Sequence, residues 1–461
     1  MNQKYLIINS ILILMGMLPS ISRARILSNV EVYRRCYTQL TQKAVPPKDP
    51  VLLQIKAGSK LPVAACMELL DRAKFRTSDG NRLDNPTDPV AINVLNTMNQ
   101  VHQTFFLITD LAETTFVNTI AGMKGMYDPG EPALYYTKAL FDSTSAFSSI
   151  VTSNNNLRAD RITNNPTVST ENNNVSTSVF AADPNFSWAS IGSLLGVMPT
   201  GTRTIASTIG SADMGATRGG GILGTPTYLL ETVNEPSNLK TNSFTMTRKW
   251  AKSVISDFLC RELPIARLSD TDGFVDSSTN AHPFRQESAC TQCHASMDRM
   301  AAVNRNFQYL NLRPSSNAIS GGTFATTYPT NSSLDGTAWP SIITTNYYQR
   351  PTIGVLFYRD YQGALVNQTI TSISDLGAKL ATKDDFYLCA AKHYYQYFTG
   401  VNVDIIDPQD ARNRNKGPDM EIHKTNVVNL GLALKTNQSL RTLINSIFNL
   451  DIYKRSDLGI Q

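Results

Sequence analysis

Cys290, Thr291, Gln292, Cys293 and His294 form the run Cys-x-x-Cys-His, two thiols three positions apart with an imidazole directly after the second. This is the attachment signature of c-type haem. Two thiols so spaced on a turning backbone can each add to one of the two vinyl groups of a single porphyrin. The next residue then projects toward the iron, making His294 the proximal ligand. With six cysteines and five histidines in the chain, the pentapeptide is expected by chance only about 0.001 times. A thioredoxin-like pair would need a βαβ setting, whereas this motif follows the polar loop Ser277 to Ser288. Zinc would need two further ligands at short spacing; His282 is eight residues upstream and there is no second Cys-x-x-Cys. A plain Cys290–Cys293 disulfide would leave His294 unexplained. One covalently attached haem c, held by Cys290, Cys293 and His294, is the expected cofactor.

The sixth iron ligand is open among several residues. A methionine raises the potential of a His-ligated haem and a histidine lowers it, while an open site suits peroxide or oxygen chemistry. Candidates are Met297, Met300, Met246, Met420, His282, His102, His423 and His393. Met297 and Met300 follow His294 too closely to leave the proximal side. His393 shares a helix face with Phe386 and Ala390, a face able to wall a haem pocket, so it is carried as the candidate sixth ligand. His102, on an apolar stripe, reads better as a core histidine.

The elements that must position these groups read as mainly α. Val32, Cys36 and Leu40 recur at helical spacing, a second helix opens near Pro62, and Ile92, Leu95, Met98, His102 and Phe105 mark a third. Pro132 opens another over 131–141. Met246, Trp250, Val254 and Phe258 lead toward the motif, while Phe386 to Tyr397, stopped at Gly400, and Leu440 to Phe448 close the chain. Residues 353–359 and 364–370 flank Asp360-Tyr-Gln-Gly363 as a β-hairpin. The glycines of Arg218-Gly-Gly-Gly-Ile-Leu-Gly lack any phosphate-loop ending, so they predict a close backbone approach beneath a following helix. The fold expected is a multi-helical cytochrome-c-like module with a small β-hairpin, preceded by a helical N-terminal domain. Its divisions are a signal peptide at 1–24, helical domain at 25–150, Asn/Ser/Thr-rich linker at 151–186, haem-attachment domain at 187–340, and hairpin with C-terminal helices at 341–461.

Composition narrows the function classes. The 461 residues carry 42 Lys+Arg against 37 Asp+Glu, and charged residues make up only 17%. Neither a highly charged disordered chain nor a multi-span membrane protein fits, and without a basic block neither does a dedicated nucleic-acid binder. A short basic end, the apolar run from Tyr5 to Leu18 and a small-residue exit ending at Ala24 read as an export signal. No later apolar run is long enough for a transmembrane segment in the mature chain. Outside the cytoplasm the four remaining cysteines can pair, in any of three connectivities. Sequence proximity favours Cys36–Cys66, leaving Cys260–Cys389 to clip two long helices together.

From Arg218-Gly-Gly-Gly through Arg248-Lys-Trp250, Phe258-Leu-Cys-Arg-Glu-Leu-Pro264 and Cys290-Thr-Gln-Cys-His-Ala-Ser-Met-Asp298, the chain resembles the planctomycete-type secreted c-type cytochrome family. Asp384-Asp-Phe386, Cys389, Tyr397, Gly400 and Leu440 to Ser446 extend the likeness, which covers about residues 215–456. The sequence departs just after the motif, reading Asp298-Arg-Met300-Ala where that family has Asp-Pro-x-Gly. The resemblance implies a haem domain and names no substrate. The function expected is an exported monohaem c-type cytochrome, periplasmic or at the bacterial cell surface, passing single electrons to or from a redox protein partner. The alternatives are a secreted haem enzyme of peroxidase or oxidative type and a cell-surface structural protein with a haem cofactor. No paired-carboxylate, Ser-His-Asp or His-Glu-x-x-His pattern competes with these.

Overall fold

The computed structural model describes residues 25–76, 83–106, 130–154, 156–160, 167–171, 202–204, 211–213, 218–232, 248–278, 283–315, 318–327, 330–337, 349–414 and 417–456. The expected signal peptide, most of the Asn-rich segment, Met246 and His282 lie outside them. The protein is mainly helical with small antiparallel sheets.

Local chemistry starts each early helix. In α1 (Asn29–Thr41) Ser28 and Glu31 form a reciprocal cap: the Glu31 N–H donates to the Ser28 hydroxyl, and the Ser28 N–H to the Glu31 carboxylate at 2.9 Å. α2 (Pro50–Lys56) and α4 (Pro89–Gln103) begin with Asp caps followed by Pro, and α3 (Pro62–Arg72) and α5 (Glu131–Phe141) also carry Pro in the first turn. A short α6 (Ser149–Thr152) follows. The buried face of α1 is Val32, Tyr33, Cys36, Tyr37 and Leu40, and Cys36 is bridged to Cys66 of α3 with Cα atoms 6.0 Å apart. The described backbone of the Asn-rich segment pairs as β1 (Asn156–Asp160) with β2 (Thr167–Glu171).

β3 (Thr202–Thr204) and β4 (Ser211–Asp213) are followed by the glycine segment, a 3-10 turn over Gly221–Gly224 leading into α7 (Pro226–Glu231). A close backbone approach is present, made by Gly221 against the preceding α6 rather than beneath the helix that directly follows. Gly221 has φ +56°, and a Cβ there would lie 2.1 Å from the Ile150 carbonyl oxygen. α8 (Arg248–Leu259) buries Trp250, Val254 and Phe258, with the Trp250 indole N–H donating to the Leu223 carbonyl at 3.0 Å. Two short helices, α9 (Leu268–Thr271) and α10 (Pro283–Gln286), precede α11 (Ser288–Ala301), which carries the Cys-x-x-Cys-His run. β5 (Phe307–Ser315) and β6 (Ala318–Thr327) then complete a four-stranded sheet of order β3-β4-β6-β5.

The hairpin expected from the Asp360–Gly363 turn is β7 (Gly354–Arg359) with β8 (Leu365–Ile370). The Asp360 carboxylate accepts the Gln362 and Ala364 N–H groups, and Gly363 takes φ +86°. α12 (Ile373–Leu380), α13 (Asp384–Thr399), α14 (Pro418–Asn437) and α15 (Leu440–Asn449) complete the chain. α13 stops at Gly400 in the left-handed conformation, φ +74°.

One apolar core runs from Val32 to Tyr453, so the early helices pack directly on the late ones. Tyr394 of α13 reaches His102 of α4, and the Gln39 amide reaches the Phe398 carbonyl at 2.9 Å. The described ends also meet. Ile26 bridges Arg455, the Leu27 N–H donates to Lys454, and Arg35 donates to the carbonyls of Tyr453 and Arg455. The second disulfide, Cys260–Cys389 (Cα–Cα 5.2 Å), clips the end of α8 to α13.

Candidate functional site

Helix α11 packs against α8, α9, α10 and β7. Residues three and four apart share a helix face, so Cys290, Cys293 and His294 lie together. Cys290 is exposed, Cys293 half-buried, and neither is in a disulfide. The two residues between them anchor the helix. The Thr291 hydroxyl donates to the Phe284 carbonyl of α10 at 3.2 Å, and the Gln292 amide donates to the Ala266 carbonyl at 2.6 Å. Nothing in the spelling of the motif announced these anchors.

His294 is held through its far nitrogen. Nδ1 lies 2.9 Å from Oδ2 of Asp298, one turn further on, and the Asp298 side chain is fully out of solvent. Arg248, at the start of α8, grips the same carboxylate in a fork, Nε to Oδ1 at 2.7 Å and Nη2 to Oδ2 at 2.9 Å. Burial pushes the Asp298 pKa up, but the hydrogen bonds from His294 and Arg248 outweigh it and leave the carboxyl below its ordinary value. An ionised carboxylate only accepts, so Nδ1 is the N–H donor to Asp298 and Nε2 is the nitrogen left for a ligand. The Phe284 ring stacks on the imidazole at 4.1 Å and 23°, with the Arg248 guanidinium 5.0 Å from that same ring. This is the outer support a metal-ligating histidine uses: one nitrogen fixed by a carboxylate, the ring braced, the other nitrogen offered.

The Cys293 thiol is pushed up by burial, drawn back partly by Arg412, and raised further by Cys290. It is therefore protonated at neutral pH. Arg412 is fixed beside it, donating to the carbonyls of Glu262, Leu263 and Pro264 and paired with Asp410.

The three donors are spread along the helix rather than convergent. Among the described residues, Cys290, Cys293 and His294 do not form a trio with ligand atoms within 4.8 Å of one another. A tetrahedral zinc site needs such convergence, whereas thiols that bond a porphyrin edge and an imidazole that reaches its centre must stay apart.

The remaining candidates divide clearly. His102 is buried, with Nδ1 2.9 Å from the Thr137 hydroxyl and Nε2 2.7 Å from the Tyr394 hydroxyl, and burial lowers its pKa to about 3. This is the core histidine expected. His423 is likewise buried, 2.6 Å from the Tyr395 hydroxyl. Met300 is in the core, and Met297 and Met420 pack against it. His393 stacks on Phe105 at 4.6 Å and turns Nε2 toward the Cys260–Cys389 disulfide. The support for His294 went unassigned from sequence. The His-to-Asp spacing of four on one helix is a legible signal for half of it; Arg248, fifty residues upstream, offers none.

No described helix is long and apolar enough to cross a membrane. No protein family, curated protein or solved structure matches the chain.

Proposed function

We propose that the chain is an exported monohaem c-type cytochrome that exchanges single electrons with a redox protein partner. One observation carries the reading. Of six cysteines, four are paired in disulfides and the two left free are those of Cys-x-x-Cys-His, beside a histidine whose Nδ1 is engaged and whose Nε2 is available. Cys290 and Cys293 would hold the porphyrin by adding S–H across its vinyl groups, and His294 would supply the proximal nitrogen. When bound, haem contributes a one-electron Fe(III)/Fe(II) couple. The chain's own part is to fix that nitrogen: Asp298 sets the tautomer, Arg248 holds Asp298 in place, and Phe284 braces the ring. The two disulfides support an oxidising compartment, periplasmic or at the cell surface. The resemblance to planctomycete-type secreted cytochromes points the same way.

A second reading, a secreted haem enzyme of oxidative type, is favoured by the Asp298 carboxylate itself. A carboxylate on Nδ1 makes the imidazole a stronger donor, which lowers the potential and suits oxygen or peroxide chemistry. The test is a mass and a reduced pyridine-haemochrome spectrum of the exported full-length protein. One covalent haem, lost in Cys290→Ala/Cys293→Ala, is the expected result, with a six-coordinate low-spin spectrum for electron transfer. A mature chain without added haem mass would sink both readings; a high-spin spectrum with rapid peroxide reaction would select the second.

A further inference from the structure

Cys260, Cys389 and His393 gather three metal-ligating side chains away from the haem motif, their ligand atoms all within 4.8 Å of one another. Cys389 and His393 are four residues apart on α13 and so share one face, while Cys260 follows the end of α8. The imidazole is fixed on two sides: it stacks on Phe105 at 16° and is hydrogen-bonded to the Asp257 backbone. Nε2 faces both sulfurs, 3.5 Å from Cys260 Sγ and 3.6 Å from Cys389 Sγ.

Those two distances have a specific chemical meaning. In a tetrahedral site with metal–sulfur bonds of about 2.3 Å and metal–nitrogen bonds of about 2.0–2.1 Å, nitrogen and sulfur stand about 3.6 Å apart. Both nitrogen–sulfur edges of such a tetrahedron are already in place. Only the sulfur–sulfur edge differs, and it must open to about 3.8 Å once the covalent bond is gone.

We infer that reduction of the Cys260–Cys389 disulfide converts this corner into a Cys2His site for Zn2+, with a fourth position left to water. The reductant is a dithiol. It gives two electrons and two protons to the Cys260–Cys389 bond and itself closes to a disulfide. Binding of Zn2+ then displaces both thiol protons to solvent, leaving two thiolates and the neutral imidazole on the ion. His393 Nε2 is the group that makes this corner a metal site, because among the described residues the Cys36–Cys66 bridge belongs to no such trio. The inference uses none of Cys290, Cys293 and His294, and it assigns His393 Nε2 to this corner and not to the haem iron.

The experiment uses the full exported chain, reduced with a water-soluble phosphine, with and without Zn2+. Alkylation of each cysteine is followed by peptide mass mapping. Zn2+ is expected to slow alkylation of Cys260 and Cys389 at least tenfold and to leave Cys36 and Cys66 unchanged, with His393→Gln removing the protection. Because each thiol is mapped, protection at Cys290 or Cys293 is read separately, whether or not haem is attached there. Should His393→Gln fail to fold, X-ray absorption on the zinc form of Cys290→Ser/Cys293→Ser decides. Two sulfurs and at least one imidazole nitrogen are expected around the ion. Equal alkylation with and without zinc, protection of Cys36 and Cys66 instead, a zinc shell without imidazole, or loss of helical circular dichroism on reduction would each overturn the inference.

Discussion

At the residue scale the chemistry turns on what stands behind each histidine. Behind His294 is a buried carboxylate that is itself clamped by Arg248. Asp298→Asn keeps the side chain's shape but removes its charge, weakening the imidazole as a donor. On the haem reading, spectroelectrochemistry should show the midpoint rising by about 60–120 mV, the equivalent of roughly ten- to a hundredfold in relative stabilisation of Fe(III). A conserved absorption spectrum with that shift identifies tuning; an unchanged midpoint makes Asp298 structural only. Behind His102 are two hydroxyls and, among the described residues, no charge. Its folded pKa is lowered to about 3 from 6.5. Between those values the unfolded chain takes up a proton that the folded chain refuses, so stability falls as pH drops from 6.5 toward 3 and is flat above. At pH 5 the loss from this residue is roughly 2 kcal/mol. Urea midpoints against pH should show it, and His102→Gln should remove that part of the slope.

At the scale of elements, space separates two glycines that both have positive φ. Gly58 has φ +74° with nothing within 4 Å of an added Cβ, whereas Gly221 would drive its Cβ into the Ile150 carbonyl. Gly58→Ala should cost about 1–2 kcal/mol, the penalty for a left-handed alanine. Gly221→Ala should cost more than about 3 kcal/mol, since backbone must move as well; calorimetric melting distinguishes the two. The glycines of 219–224, Gly221 among them, were readable as a close approach because no phosphate-loop ending followed them. Helices with one apolar face were readable too: Val32, Cys36 and Leu40, or Leu440, Leu443, Ile444 and Ile447, all buried as spaced. α14 was not. Its buried His423, Val427, Leu430 and Leu434 alternate with exposed Ile422 and Leu432, which spreads apolar residues around the helix and erases the periodic signal. The strands β5 and β6 were also missed, because small and polar residues such as Ser320, Gly321 and Gly322 give no alternation. At the site, the motif was legible because its chemistry requires a fixed local spacing. Its clamp was not, because Arg248 meets Asp298 only through the packing of α8 on α11.

At the scale of the whole molecule, the two disulfides constrain very different lengths of chain. Cys36–Cys66 spans a separation of 30 and Cys260–Cys389 one of 129. Loop-closure entropy assigns them about 3.6 and about 5 kcal/mol, respectively. Replacing each pair by alanine should therefore lower the urea unfolding free energy more for the second pair, by about 1 kcal/mol; the reverse order would mean that the loop between Cys260 and Cys389 is already ordered when unfolded. Residues 25–27 are clasped against 454–456. The core has members from both ends, so it cannot close until Tyr453 and its neighbours have been made. Until then Cys290 and Cys293 travel on an open chain, and half-buried Cys293 is as accessible as its partner. On the haem reading, Cys293 is therefore most accessible for attachment before the two ends meet.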